Sequence, residues 1–173
     1  MNAFGYSIAS SPVSILCATN PATPAAPTTS VSTSFVTVSW STPTTNGLPI
    51  TSYSIYLRTA SLTYITDNTV CNGLSPTVIA ATSCTIPLST LYAAPYNLLK
   101  GFSINAKIVA TNAYGSSAVS PSGNGGIVVF VPDAPINLAD NTVVTSKSVI
   151  GFTWSSGASD GGQSVIDYTI TYD

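Results

Sequence analysis

The sequence predicts an all-β chain made of tandem seven-stranded β-sandwiches, one complete and two partial. Three observations carry that expectation. Charge is scarce: 6% of the 173 residues are charged, 45% are hydrophobic, and roughly 50 are Ser or Thr. An ordinary chain is roughly 25% charged, and low charge with few helix formers and many β-branched residues favours strands. Apolar residues alternate in short runs separated by Pro, Gly and Asn. The chain also repeats itself. Asn2-Ala-Phe-Gly5 returns as Asn112-Ala-Tyr-Gly115, and on one ungapped diagonal Pro21 falls on Pro135, Val36 on Ile150, Val38 on Phe152, Ser39 on Thr153 and Trp40 on Trp154. A fixed period of about 110 residues marks a tandem array. Residues 1–20 then match the end of one module, 21–131 are a complete module, and 132–173 match the start of another, so the polypeptide is expected to continue past both ends.

The complete module can be followed element by element. Its first strand is broken by Pro21, Pro24 and Pro27, which suits an edge strand. Residues 35–40 alternate, with Val36, Val38 and Trp40 on one face, and the partial copy repeats this with Ile150, Phe152 and Trp154. Residues 41–47 form a turn by their Pro and Asn-Gly content. Tyr53, Ile55 and Leu57 share the face of a third strand, as Tyr168, Ile170 and Tyr172 do in the copy. A fourth strand is expected over 63–70 and a fifth over 83–86. Ile104, Ala106, Ile108 and Ala110 mark the sixth, and residues 127–131 the last. Short strands with period-2 patterning and regular turn signals indicate a two-sheet sandwich.

Composition also narrows function. The chain has no His and no Glu, so Ser-His-Asp and Cys-His catalysis are excluded, and six scattered Asp are the remaining candidates for acid–base work. Three Cys without His or a Cys-x-x-Cys pair do not make a zinc site. Asp133, Asp140 and Asp160 read as turn residues, since calcium needs several oxygens converging. We therefore expect no catalytic, cofactor or metal site. A net charge of −2 leaves no basic footprint for nucleic acid, and no apolar run is long enough to span a membrane. The apolar stretch 8–18 lacks a basic flank and is broken by Pro12 and serines, so it reads as repeat sequence and not as a secretory leader.

A Pro-rich first strand, a Trp closing the second, a Tyr-x-Ile in the third, and Ala110-Thr-Asn112-Ala-Tyr-Gly115-Ser-Ser117 followed by Ser120 and Pro121 resemble the fibronectin type III family. The resemblance covers essentially the whole chain in two registers and implies immunoglobulin-like sandwiches. The chain departs from the family where Ile104 stands in place of a tyrosine that makes a corner hydrogen bond. It departs again in residues 88–101, longer than the family's usual connection. That segment, with Gly123-Asn-Gly125, is similar to repeats of very large surface proteins in ciliated protists.

Cys71 and Cys84 flank a 12-residue segment. They read either as a disulfide closing a long loop or as two buried thiols, and the family context with no metal or redox spacing favours the disulfide, hence an oxidising, extracellular setting. Cys17, aligned with Val131, reads as a small buried hydrophobe, or else as a partner for a cysteine outside this stretch or on a neighbouring molecule. No Asn-x-Ser/Thr sequon occurs. O-linked glycans are expected on Thr28, Thr29, Ser30, Ser32, Thr33, Ser41, Thr42, Thr44 or Thr45, since so uncharged a surface needs hydration, although polar strand surface and turn would explain these residues as well. The functional expectation is a non-catalytic structural repeat segment of an extracellular filament or cell-surface coat, whose partners are other copies of itself. The alternative is an adhesive module binding a glycan or protein through its loops.

Overall fold

Alternation along the strands builds two facing sheets. The computed structural model describes residues 1–15, 17–32 and 34–171, so Thr33 and Tyr172 lie outside the described residues. In one sheet β1 (Thr28–Val31), β2 (Phe35–Ser39) and β5 (Ser83–Pro87) pair antiparallel in the order β1-β2-β5. In the other, β3 (Ile50–Arg58), β4 (Tyr64–Thr66) and β6 (Ala106–Asn112) pair in the order β4-β3-β6. Registers Tyr53↔Ala110, Ile55↔Ile108 and Leu57↔Ala106 set large residues opposite smaller or equal ones on one face. That face meets Val36, Val38 and Ile86 of the first sheet in a single apolar core.

Every residue expected in this core is buried: Val36, Val38, Trp40, Tyr53, Ile55, Ile104, Ala106, Ile108 and Ala110. Phe35, by contrast, is 47% exposed, which fixes the register of β2, because a one-residue slip would exchange the two sets. Trp40 meets the Tyr53 ring edge-on at 5.1 Å.

The last strand differs from the expectation. Residues 127–131 are not a strand, and the pairing with β6 runs earlier, through isolated bridges Thr111↔Ser116 and Ala106↔Gly123, while Ile127 bridges only to Ser103, ahead of β6. Two serines explain the irregular ladder. The amides of Ala110 and Ile108 donate to the hydroxyls of Ser117 and Ser120, while the amides of those serines donate back to the carbonyls of the same two residues. Side chains thus replace main-chain acceptors, and Pro121 has no amide to offer.

Three other elements also depart from the sequence reading. The prolines 21, 24 and 27 are buried but belong to no strand, since they cannot donate to a ladder; β1 begins after them. The fourth strand stops at Thr66, because the Asp67 carboxylate accepts hydrogen bonds from the Thr69 amide (2.9 Å) and hydroxyl (2.6 Å) and folds residues 68–70 into a turn. Two short helices were not expected: α1 (Pro76–Ala81) between the cysteines, and α2 (Leu88–Tyr92) after β5. The long segment 88–101 is rooted in the core by Leu88, Leu91, Tyr96 and Leu98. Ile104 is buried where the family carries its corner tyrosine and has no hydroxyl to make that bond.

Tyr96 is the largest fully buried side chain, and its hydroxyl has no hydrogen-bond partner. Burial, reinforced by the charge of Asp67, pushes its ionisation up to about 12. Tyr96→Phe is expected to stabilise the module by about 1 kcal/mol in denaturant titration, because it removes an unpaired buried hydroxyl. The folded pKa lies above the unfolded one, so the module keeps its full stability below about pH 10 and loses some as the pH rises through about 12, because the unfolded phenol ionises first. The variant should lose less stability than the parent across that window.

Beyond residue 131, β7 (Ile136–Asp140) and β8 (Phe152–Ser155) form a two-stranded antiparallel sheet. Residues 165–171 are not a strand. Even so, Trp154 meets Tyr168 edge-on at 5.4 Å and 60°, close to the 5.1 Å and 65° of Trp40 and Tyr53. At the other end, Asn2 and Gly5 exchange both backbone hydrogen bonds and the Asn2 carboxamide accepts from the Phe4 amide.

Candidate functional site

One network of polar side chains gathers on residues 17–20, the segment leading into the sandwich, and another contact joins residues 130–133 to the turn 159–161. At the first junction Asn112, buried at the end of β6, uses all four of its hydrogen-bonding positions. Its carboxamide NH₂ donates to the carbonyls of Thr19 (2.8 Å) and Thr45 (3.1 Å), and its oxygen accepts from the amides of Tyr114 and Gly115. One side chain therefore ties together the incoming linker, the loop after β2 and the Asn-x-x-Gly turn. Asn20 donates to the Ser116 carbonyl, Asn46 donates to the Asn20 carbonyl, and the Thr19 amide donates to the Asn46 carbonyl. Gly47, in the left-handed region at φ 95°, lets this loop close on the linker: a Cβ there would sit 2.6 Å from the Cys17 carbonyl oxygen. Asn112→Ala is expected to cost about 1–3 kcal/mol by leaving buried groups unpaired. Hydrogen exchange at the Tyr114 and Gly115 amides should rise, and unchanged protection there would count against this role.

A second contact is related but not identical, with pairings one residue out of step with the first and without its asparagine network. The Phe130 amide donates to the Gly161 carbonyl (2.7 Å) and the Asp133 amide to the Ser159 carbonyl (2.8 Å). Gly161 has φ 76°, and a Cβ on it would overlap the Phe130 carbonyl. Asp160-Gly161 stands on the repeat diagonal of Asn46-Gly47, so in both modules a turn with a central glycine packs on the linker that enters that module. Lys100 of the complete module reaches Asp160 at 2.9 Å and also donates to the Ser159 hydroxyl. The Gly162 amide and then Lys100 hold the Asp160 carboxyl below the usual aspartate range.

Cys71 and Cys84 are joined in a disulfide, with Cα atoms 5.9 Å apart, that closes the loop carrying α1. Cys17 is exposed, against the expectation of a buried hydrophobe; it lies on extended linker with no sheet beneath it. Among the hydroxyls expected to carry sugar, Thr28, Ser30, Ser32, Ser41, Thr42 and Thr44 are exposed and Thr45 is half-buried. Thr29 is corrected: it is buried, its hydroxyl donates to the Ile104 carbonyl and accepts from the Gly126 amide, and no sugar could reach it. Among the described residues no group of Cys and Asp side chains gathers as a metal site would, and no helix is long and apolar enough to cross a membrane.

Sequence reasoning found the repeated Asn-x-x-Gly motif and the Asn46-Gly47 turn but missed that Asn112 and Asn46 hold the incoming segment. The recurrence of an Asx-Gly pair on one diagonal was the available signal.

No family model matches the chain, and no curated protein matches it. Among solved structures it is similar to a crystal structure of titin domains, at 22% identity and TM-score 0.43 over 61% of this chain and 31% of that one. It is similar to the twitchin kinase region from C. elegans at 22% identity and TM-score 0.42, over 60% of this chain and 16% of that one. It is also similar to FN3tt at 17% identity and TM-score 0.40, over 62% and 94%. The two sheets and their registers carry the assignment of the all-β sandwich.

Proposed function

We propose that this chain is a structural repeat segment, without catalytic chemistry of its own, of an extracellular filament or cell-surface coat. The observation that supports this most is that an Asx-Gly turn packs on the segment preceding it on both sides of the sandwich, although the individual bonds differ. A linker held by backbone hydrogen bonds and a glycine contact has little freedom to swing, and a contact of this kind repeated from module to module gives a regular rod. The disulfide suits an oxidising compartment.

Self-association is the second part of the proposal. With 6% charged residues, copies repel one another weakly. Exposed hydroxyls and apolar strand residues such as Phe35 offer lateral contact, and heterologous contacts that do not close produce filaments. O-linked sugars on the exposed Thr28, Ser30, Ser32, Ser41, Thr42 or Thr44 would tune that contact. The adhesive alternative gains less, because the turns at 46–47 and 112–116 are taken up by the linker.

Sedimentation of the full chain across a wide concentration range, followed by electron microscopy, tests the reading. Concentration-dependent growth into rods of uniform width is expected. A monodisperse monomer at high concentration would overturn it, and a saturable ligand at the Asn46 or Tyr114 turns would favour adhesion.

A further inference from the structure

Residues 88–101 are far longer than the step from β5 to β6 requires, yet they are well anchored. Leu88, Leu91, Tyr96 and Leu98 enter the core, the Ala60 amide donates to the Tyr96 carbonyl and the Leu98 amide to the Leu91 carbonyl. An irregular segment fixed this firmly is a platform.

Its outer edge runs along residues 128–130, the last of the complete module. The Tyr92 ring lies 4.2 Å from that of Phe130, its hydroxyl donates to the Val129 carbonyl at 2.8 Å, and the Gly101 amide donates to the Val128 carbonyl. Beyond the linker, Lys100 crosses to the turn 159–162 of the following module, bonding Asp160 and Ser159, with its aliphatic stem close to Gly162.

We propose that residues 88–101 form a docking platform that recognises an acidic Asp-Gly-Gly turn on the module that follows and thereby sets its orientation. The partner is the neighbouring module of the same chain, and the proposal holds whether or not the chain polymerises. Two features support it. Lys100–Asp160 is the one ion pair among the described residues of a chain with four basic and six acidic side chains, so few wrong partners compete for either charge. In addition, the corresponding turn of the complete module carries Asn46 in place of Asp160, and Asn46 bonds its own linker at Asn20. The acid thus distinguishes one kind of junction from another along the chain.

Both partners are partly exposed, so the pair adds little to folding stability, and its effect is on orientation. The backbone contacts of Gly161 supply the close fit, and Lys100 selects which turn is seated.

The test is a distance distribution by pulsed electron spin resonance in the full chain, with labels at Ser61 and Ser148, both exposed, in a Cys17→Ser background. The parent should give one narrow distribution. Lys100→Asp should widen it at least twofold, and Lys100→Asp combined with Asp160→Lys should narrow it again. Gly161→Ala, which changes no charge and sits on the other module, should also displace it. An unchanged distribution in Lys100→Asp, or a charge swap that does not restore the parent width, overturns the proposal. Thermal melting of the complete module should be the same in the parent and the two charge variants, so that a changed width reports docking and not unfolding.

Discussion

Trp40→Ala should lower the unfolding free energy of the complete module by about 3–5 kcal/mol, the range for emptying a buried tryptophan site. The indole is 6% exposed, packs edge-on against Tyr53, and leaves its N–H without a partner, so the loss would be one of packing and not of hydrogen bonding. Trp154 stands at the same place in the repeat but is 36% exposed. In this chain Trp154→Ala should cost far less. Chemical denaturation followed by circular dichroism would compare the two variants, and equal costs would mean that burial is not what separates them.

Replacing Cys71 and Cys84 together by serine should destabilise the module by about 3 kcal/mol, by the chain-entropy estimate for a loop of this size. Helix α1 inside the loop buries no residue fully, and only Val78 and Ile79 pack partly against the core. Its backbone anchors are the Tyr53 amide donating to the Gly73 carbonyl and the Trp40 amide donating to the Thr82 carbonyl. Limited proteolysis should cut the variant between residues 72 and 83 and spare the oxidised parent. Equal resistance and an unchanged denaturation midpoint would show that the loop is held by its packing.

The contrast between these two sites shows what a sequence makes legible. Val36, Val38 and Trp40, or Ile104 through Ala110, announce their buried face because side chains alternate along a strand whatever the partner. The spacing of Cys71 and Cys84 was readable for a similar reason, as the sandwich brings the two positions together. Pairing itself is not periodic. The segment bonded to β6 contains Pro121, Gly123, Gly125 and Gly126, shows no alternation, and uses the Ser117 and Ser120 hydroxyls as acceptors, so the expected strand was placed a few residues late. Thr29 looked like one more surface hydroxyl, because nothing nearby in sequence tells of Ile104 or Gly126 across the sandwich. The junctions were half visible. Residues 41–47 and Asp160 read as turns from composition alone, and nothing in the sequence showed that each turn folds onto the segment preceding it.

If the array carries tension, the Cys71–Cys84 bond acquires a mechanical meaning. The two residues are 13 apart in sequence and their Cα atoms are 5.9 Å apart. Pulling the module open while the bond is intact would leave the enclosed stretch uncounted, and its later reduction would add about 40 Å of extension, at about 3.5 Å per residue less the span of the bridge. This module would then hold a reserve of slack, released by a reductant and not by force, so the redox state of the surroundings would set how far it lengthens before its backbone is taut.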